Sequence, residues 1–338
     1  MAVRVLFRAR KAFEGLSARN AYPRAADDET RRFVAYWFDE YARRQLASLA
    51  SAIANVKDES TRNVLWCAFS RLIVTKQSGA SLAMDLSHSR PHRVFQRAPT
   101  KPFRKFLSAV KRVVSNCIDR ESEMQGPPPD IYLGDARFLP VADESIDLVL
   151  TSPPYLNAID YMRCSKFSLV WMDCSIAQLR RIRRDSIGTE SGKGAPGISH
   201  QVSNIIAKLK LRPALRPRQH VVLARYICDV YRSMNEVART LSPTGQAVYV
   251  IGENTVEGTY IQNSVIVTEV ARLSGLELAQ RRVRMIPPNR RYLPPPKKKA
   301  NRAALDGRMR REVVLAFKKS QFQPGPSPDQ PAPCSNNQ

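Results

Sequence analysis

The fifteen residues LVLTSPPYLNAIDYM, from 148 to 162, constrain the fold more than any other stretch of the chain. Leu148, Val149 and Leu150 form a short apolar run suited to a buried strand. Pro153 and Pro154 must end it, because proline has no N–H to give a sheet ladder and stiffens the backbone. The chain therefore stops rigidly, with Ser152 and Tyr155 presented at the carboxyl end of a strand. In open α/β sheets that end gathers the ligand-binding loops. In isolation the tetrapeptide Ser-Pro-Pro-Tyr reads equally as a proline-rich turn with a core tyrosine, so its surroundings decide.

Those surroundings divide into three regions. Residues 1–125 read as a helical amino-terminal region. Val34, Trp37, Phe38 and Tyr41 fall at helical spacing within 30–56, and residues 61–74 and 102–118 behave alike. Between them SGASLAMDLSHSRPHRVFQRAPTKP reads as a loop. After the stiff break QGPPPD, residues 126–319 alternate strand and helix. Strands are expected at 131–133 and 147–150, a helix over 162–173, and a long amphipathic helix over about 220–240 that closes in a turn at LSPTG. QAVYVIG, LELAQRRVRMI and EVVLAF supply further strands, with a helix over roughly 260–273. This interleaving predicts an α/β fold whose parallel or mixed sheet is covered on both faces. The tail, 320–338, is rich in Pro, Ser and Gln and is expected to be disordered.

Charge narrows the function. The chain carries 54 Lys and Arg against 30 Asp and Glu, a net +24. Residues 161–226 hold 13 basic and 3 acidic side chains and residues 281–319 hold 14 and 2, so the excess sits in two segments. Concentrated positive charge suits a polyanion, because neutralising phosphates releases condensed counterions. His88, Arg90, His92 and Arg93 in the basic loop, and Arg290, Arg291, Lys297, Lys298 and Lys299 with Tyr292 in the second segment, are the candidate contacts to DNA phosphates. The six cysteines are scattered without metal-ligand spacing, which predicts free thiols and no metal. No apolar run reaches membrane-spanning length and the arginine-broken start is no secretory signal, so a cytoplasmic protein is expected.

The series YLGDARFLP, DLVLTSPPY and QAVYVIGEN, followed by a late antiparallel pair of strands, resembles the catalytic half of S-adenosylmethionine-dependent DNA amino-methyltransferases, especially those acting on cytosine N(4). The likeness runs from about residue 64 to 319. It implies a Rossmann-like class I methyltransferase sheet and double-stranded DNA as substrate. It further implies that a base is flipped out of the duplex and its exocyclic amine methylated. By that resemblance the Ser152 hydroxyl and the Pro153 carbonyl accept hydrogen bonds from the amine, Pro154 stiffens the loop and Tyr155 stacks on the base. Asp135 takes the position that in the family approaches the adenine amine of the cofactor, with Ala136 lining the ring. Asp160 reads as a helix cap or as part of the site.

One departure matters. The glycine-rich loop after the family's first strand, and the acidic residue after its second, have no counterpart here, so the sheet is expected to be incomplete. The chain is then a methyltransferase half that needs a second chain carrying the glycine-rich motif, a degenerate remnant that binds DNA without catalysis, or a variant completed by its own amino-terminal region.

Overall fold

The computed structural model of this 338-residue chain describes residues 1–75, 78–84, 91–121, 127, 129–156, 161–189, 199–212, 214–286 and 311–320. The chain forms two compact units, one of Met1–Asp130 with Asp160–Arg183, the other of Ile131–Ile159 with Arg184–Gln338.

The first unit is built of α1 (Ala2–Gly15), α2 (Asp28–Trp37), α3 (Glu40–Ala54), α4 (Glu59–Ile73), α5 (Pro102–Glu121), α6 (Tyr161–Leu169) and most of α7 (Ile176–Asp185). Within the expected loop, β1 (Ala83–Met84) and β2 (His92–Arg93) make a minimal antiparallel pair. The helical stretch read over 30–56 is two helices, because Asp39 breaks it and caps the second through a 2.9 Å bond from the Ala42 amide. Asp27 and Asp58 cap α2 and α4 in the same way, each cap being worth about 1 kcal/mol. The core closes around Phe38, Phe69, Phe106, Phe167 and Trp171, with Phe38 edge-on to Trp171 at 5.4 Å. Phe167 and Trp171 come from the segment that follows the Ser-Pro-Pro-Tyr loop, so this helical core is completed from beyond the amino-terminal region.

The second unit holds β3 (Ile146–Thr151), α8 (His200–Lys208), α9 (Pro217–Thr240), β4 (Leu241–Gly252), the hairpin β5 (Asn254–Val256) and β6 (Thr259–Ile261), α10 (Asn263–Leu273), β7 (Leu276–Met285) and β8 (Arg311–Lys319). Its main sheet has the order β3-β4-β8-β7, with β3 parallel to β4 and β8 antiparallel to both neighbours. α9 repeats apolar residues every three to four positions, and Leu223, Tyr226, Ile227, Val230, Met234 and Val237 all turn inward. With Val267 and Val270 of α10 they meet Ala247, Tyr249, Ile251, Leu315 and Phe317 from the sheet in one cluster.

Four expectations are corrected. Residues 131–133 form no strand: Ile131 and Leu133 are 89% and 105% exposed, and no neighbour among the described residues takes their hydrogen bonds. Within the second unit the described helices pack on one face of the sheet and not on both, and burial alternates along β4 and β8. LSPTG is not a turn outside the sheet but an insertion within β4, since Ile146 pairs with Leu241 while Leu148 pairs with Gln246. Gly245 permits it, because a Cβ there would lie 2.9 Å from the Leu241 side chain and 3.0 Å from the Ile146 carbonyl. Finally, Cys67 and Cys174 are free thiols, but Cys228 is disulfide-bonded, a pairing that scattered spacing does not reveal. No helix among the described residues is long and apolar enough to cross a membrane.

The packing contrast is testable. Phe317→Ala removes a fully buried ring that meets Tyr249 edge-on and should cost about 3–5 kcal/mol, whereas Leu148→Lys on the open face should change stability by less than about 0.5 kcal/mol. Urea unfolding followed by far-ultraviolet circular dichroism measures both. Equal losses would show that the open face is packed.

Candidate active site

β3 ends at Thr151, and the loop that follows is fastened residue by residue. The Ser152 hydroxyl lies 3.0 Å from the Val250 carbonyl of β4, to which it gives its one hydrogen. The Tyr155 hydroxyl is 3.3 Å from the Ser152 oxygen and, with that hydrogen committed, acts as the donor. The Pro154 carbonyl accepts from the Tyr226 hydroxyl of α9 at 3.1 Å. The Leu156 carbonyl accepts from Asn254 Nδ2 at 2.5 Å, and Asn254 Oδ1 in turn accepts from the buried amide of Asn263 at 2.7 Å. Gly188, at φ +78°, lets the 186–189 turn approach, since a Cβ there would sit 3.3 Å from the Tyr155 carbonyl.

The pattern leaves two acceptors. No donor among the described residues bonds the Pro153 carbonyl, and the Ser152 oxygen keeps lone-pair capacity after spending its hydrogen on Val250. Ser152 is exposed and Pro153 half-buried. Neighbouring neutral acceptors on a braced loop can receive the two hydrogens of an amine.

Asp135 is placed otherwise than a free ligand would be. Its carboxylate receives the backbone amide and the side chain of Arg137, with Nη2 at 2.7 Å, and these bonds hold its carboxyl below the ordinary range. Arg137 also reaches the buried Asp229 of α9 at 2.8 Å and the Asp185 carbonyl at 2.8 Å. Burial pushes the Asp229 carboxyl up, against the pull of Arg137. Ala136 is exposed. His92 and Arg93 lie in the first unit, where Arg93 stacks 5.0 Å over Tyr36. His88, Arg90, Asp160, Arg290, Arg291, Tyr292, Lys297, Lys298 and Lys299 fall outside the described residues.

Sequence reasoning missed Tyr226, Asn254, Arg137 and Asp229. Arg137 stood within GDAR and Asn254 within QAVYVIGEN, yet nothing in a strand-end motif says which neighbour turns toward which loop. Tyr226 and Asp229 share a helix face at i, i+3 spacing, a signal that reads first as packing.

Comparison with known proteins gives one sequence relative of note. The type II methyltransferase M.MvaI of Kocuria varians is 27% identical over 144 residues, 38% of this chain and 30% of the relative. This chain is similar to a type II methyltransferase. It spans less than a third of that relative's length. No family model matches. Among solved structures, the DNA modification methylase TTHA0409 of Thermus thermophilus aligns over 58% of this chain and 55% of its own at 18% identity. Its complex with S-adenosyl-L-methionine aligns over 59% and 56% at 17% identity. The TM-score is 0.28 in both, too low to carry an argument about fold.

The Arg137 cluster predicts an asymmetry. Arg137→Ala strands the buried Asp229 carboxylate and should cost about 3 kcal/mol, whereas Asp135→Asn, at a side chain 42% exposed, should cost less than about 1 kcal/mol. Because Arg137 depresses the Asp135 carboxyl, that pair's contribution is present above the ordinary carboxylate range and is lost as pH falls through the lower folded value. Asp135→Asn should therefore flatten the acid limb of a stability–pH curve, measured by urea unfolding.

Proposed function

We propose that this chain is the target-amine half of an S-adenosylmethionine-dependent DNA methyltransferase acting on a flipped base, with cytosine N(4) as the acceptor. The observation that carries the reading is a pair of acceptors with capacity to spare, Ser152 Oγ, which keeps one lone pair beside its bonds to Val250 and Tyr155, and the Pro153 carbonyl, on a loop whose Pro154 and Leu156 carbonyls are held by Tyr226 and Asn254. An exocyclic amine is a weak nucleophile because its lone pair is conjugated into the ring. Accepting both of its hydrogens draws the nitrogen toward tetrahedral geometry and offsets the positive charge that develops as it reacts. A braced loop does this with little reorganisation. Tyr155, half-buried with its hydroxyl 3.3 Å from Ser152 Oγ, would stack on the base in this reading, a contact worth about 1–3 kcal/mol.

DNA as the partner is supported by charge. The register places Arg284 of β7 opposite Glu312 of β8, and Glu312 opposite Gly252 of β4. The exposed Arg282, Arg284 and Arg311 thus reach the same end of the sheet as the Ser-Pro-Pro-Tyr loop, and in the sequence the basic run 287–299 comes next after β7. Arg90, His92, Arg93, Arg290, Arg291 and Lys297 to Lys299 are the proposed phosphate contacts.

The described residues do not fit a cofactor pocket. Asp135 is engaged by Arg137, Ala136 faces solvent, and no glycine-rich strand-end loop is present among them. We propose that a second polypeptide carrying that loop supplies the methyl-donor site, pairing on the edge of β3 that no strand among the described residues takes, where Leu148 and Leu150 are 60% and 71% exposed. The unfitted cofactor site also favours a second reading, a remnant that binds DNA without catalysis.

Three measurements separate these. Ser152→Ala should abolish methyl transfer in the complemented system and leave DNA affinity within about twofold, because the hydroxyl faces the amine and not the backbone. Neutralising Arg290, Arg291 and Lys297 to Lys299 should flatten the log–log salt dependence of DNA binding by about 0.9 per lost phosphate contact. In titration calorimetry the chain alone should bind S-adenosylmethionine more weakly than micromolar, since one hydrogen bond contributes only about 1 kcal/mol of the roughly 8 kcal/mol required. Micromolar binding lost on Asp135→Ala would show that this chain completes the site unaided.

A further inference from the structure

We propose that Tyr226 is the positioning residue that aims the Pro153 carbonyl, an inference that rests on the target-amine reading above. Two peptide planes are in question, one carrying the Pro153 carbonyl and the next carrying the Pro154 carbonyl. They are related by two torsions at Pro154. The pyrrolidine ring locks the first, φ, so only ψ remains to set their mutual orientation. The Tyr226 hydroxyl, 3.1 Å from the Pro154 oxygen, fixes the second plane against α9. With φ locked and the second plane held, the Pro153 carbonyl can swing only about ψ of Pro154, a rotation that moves the pyrrolidine ring against the Gly188 turn. A hydrogen bond to one carbonyl thus narrows the direction of its unbonded neighbour to what this single torsion allows.

Tyr226 is built for that task. Its side chain is 1% exposed within the α9 core, between Leu223 and Ile227, so α9 packing sets the position of its hydroxyl. Burial pushes the phenol well above its ordinary value, with the neighbouring Tyr155 and Glu253 adding to the shift, which keeps it a donor at any working pH. Gly188 lies against both partners, since a Cβ there would be 3.8 Å from the Tyr226 ring and 3.8 Å from Pro154 Cβ. The turn leaves the pair little room to separate. Asn254 performs the same service at Leu156, beyond the prolines, where every torsion is free and the effect on Pro153 is indirect.

The test is Tyr226→Phe in the full chain, which removes the hydroxyl and keeps the ring. Hydrogen exchange resolved to the Tyr155 and Leu156 amides should be about tenfold faster in the variant, the effect of losing one hydrogen bond, while the amides of β4 keep their wild-type protection. In the complemented methylation assay kcat should fall about tenfold or more with KM for DNA unchanged, since a misaimed acceptor is felt in the transition state. Unchanged exchange at Tyr155 and Leu156 would overturn the proposal, as would loss of protection throughout β4, which would mark Tyr226 as a packing residue only. Because the Tyr226 ring is deeply buried, Tyr226→Leu serves as a packing control: it should lower the melting temperature further than Tyr226→Phe without a larger loop-specific change. A wild-type chain that transfers no methyl group under any complementation would overturn the methyltransferase reading, while the exchange comparison still decides the clamp.

Discussion

Two adjacent prolines at the end of a parallel strand remove two backbone donors from the place where a sheet would otherwise continue. Their carbonyls remain, and a buried carbonyl without a partner is costly, so the rest of the unit must bring donors to them. α9 brings Tyr226 to Pro154, and the hairpin that follows β4 brings Asn254 to Leu156. Ser152 turns its own hydrogen back onto Val250 of β4. The helix, the hairpin and the central strand are thus tied to one pentapeptide, and the Pro153 carbonyl, which follows Ser152 in the chain, has no donor among the described residues.

The same economy explains why the sheet can end where it does. β4 is buried in alternation and braced by β8, while β3 pairs only with β4 among the described residues and exposes Leu148 and Leu150. Parallel strands are ordinarily buried on both faces, so an apolar parallel edge strand marks a sheet with more to bury. The exposed Ile131 and Leu133 lie just upstream of it in the chain, in a segment whose composition suits a strand that has found no neighbour.

Much of this was legible in the sequence. β3, β4, β7 and β8 announce themselves by β-branched and apolar runs, and α9 by its inward stripe from Leu223 to Val237, because local periodicity and burial agree there. The loop was legible because proline acts through covalent geometry and not through partners. What could not be read depends on meetings distant in sequence. Tyr226 lies 72 positions from the carbonyl it holds, and Asn254 lies 98 from its own. Residues 131–133 have strand composition without a ladder to join, since composition records what a segment would bury and not whether a neighbour arrives. Asp135 reads as a ligand by its place in the series, and its engagement by the arginine two positions on is not written in that place.

The acceptor pair gains from being neutral. The chain carries a large positive excess, and a carboxylate in place of Ser152 would be drawn toward any nearby arginine, as Asp135 is drawn to Arg137. A hydroxyl and a carbonyl offer such a cation far less, so they stay available among basic side chains. They also do not titrate near neutrality, which leaves their acceptor capacity independent of pH. What they lack in charge they must make up in placement, because a neutral hydrogen bond is weak unless its geometry is fixed in advance. That requirement returns the burden to the proposed clamp: the locked φ of Pro154, the buried hydroxyl of Tyr226 and the tight passage at Gly188 are what would make two weak acceptors act as one directed site.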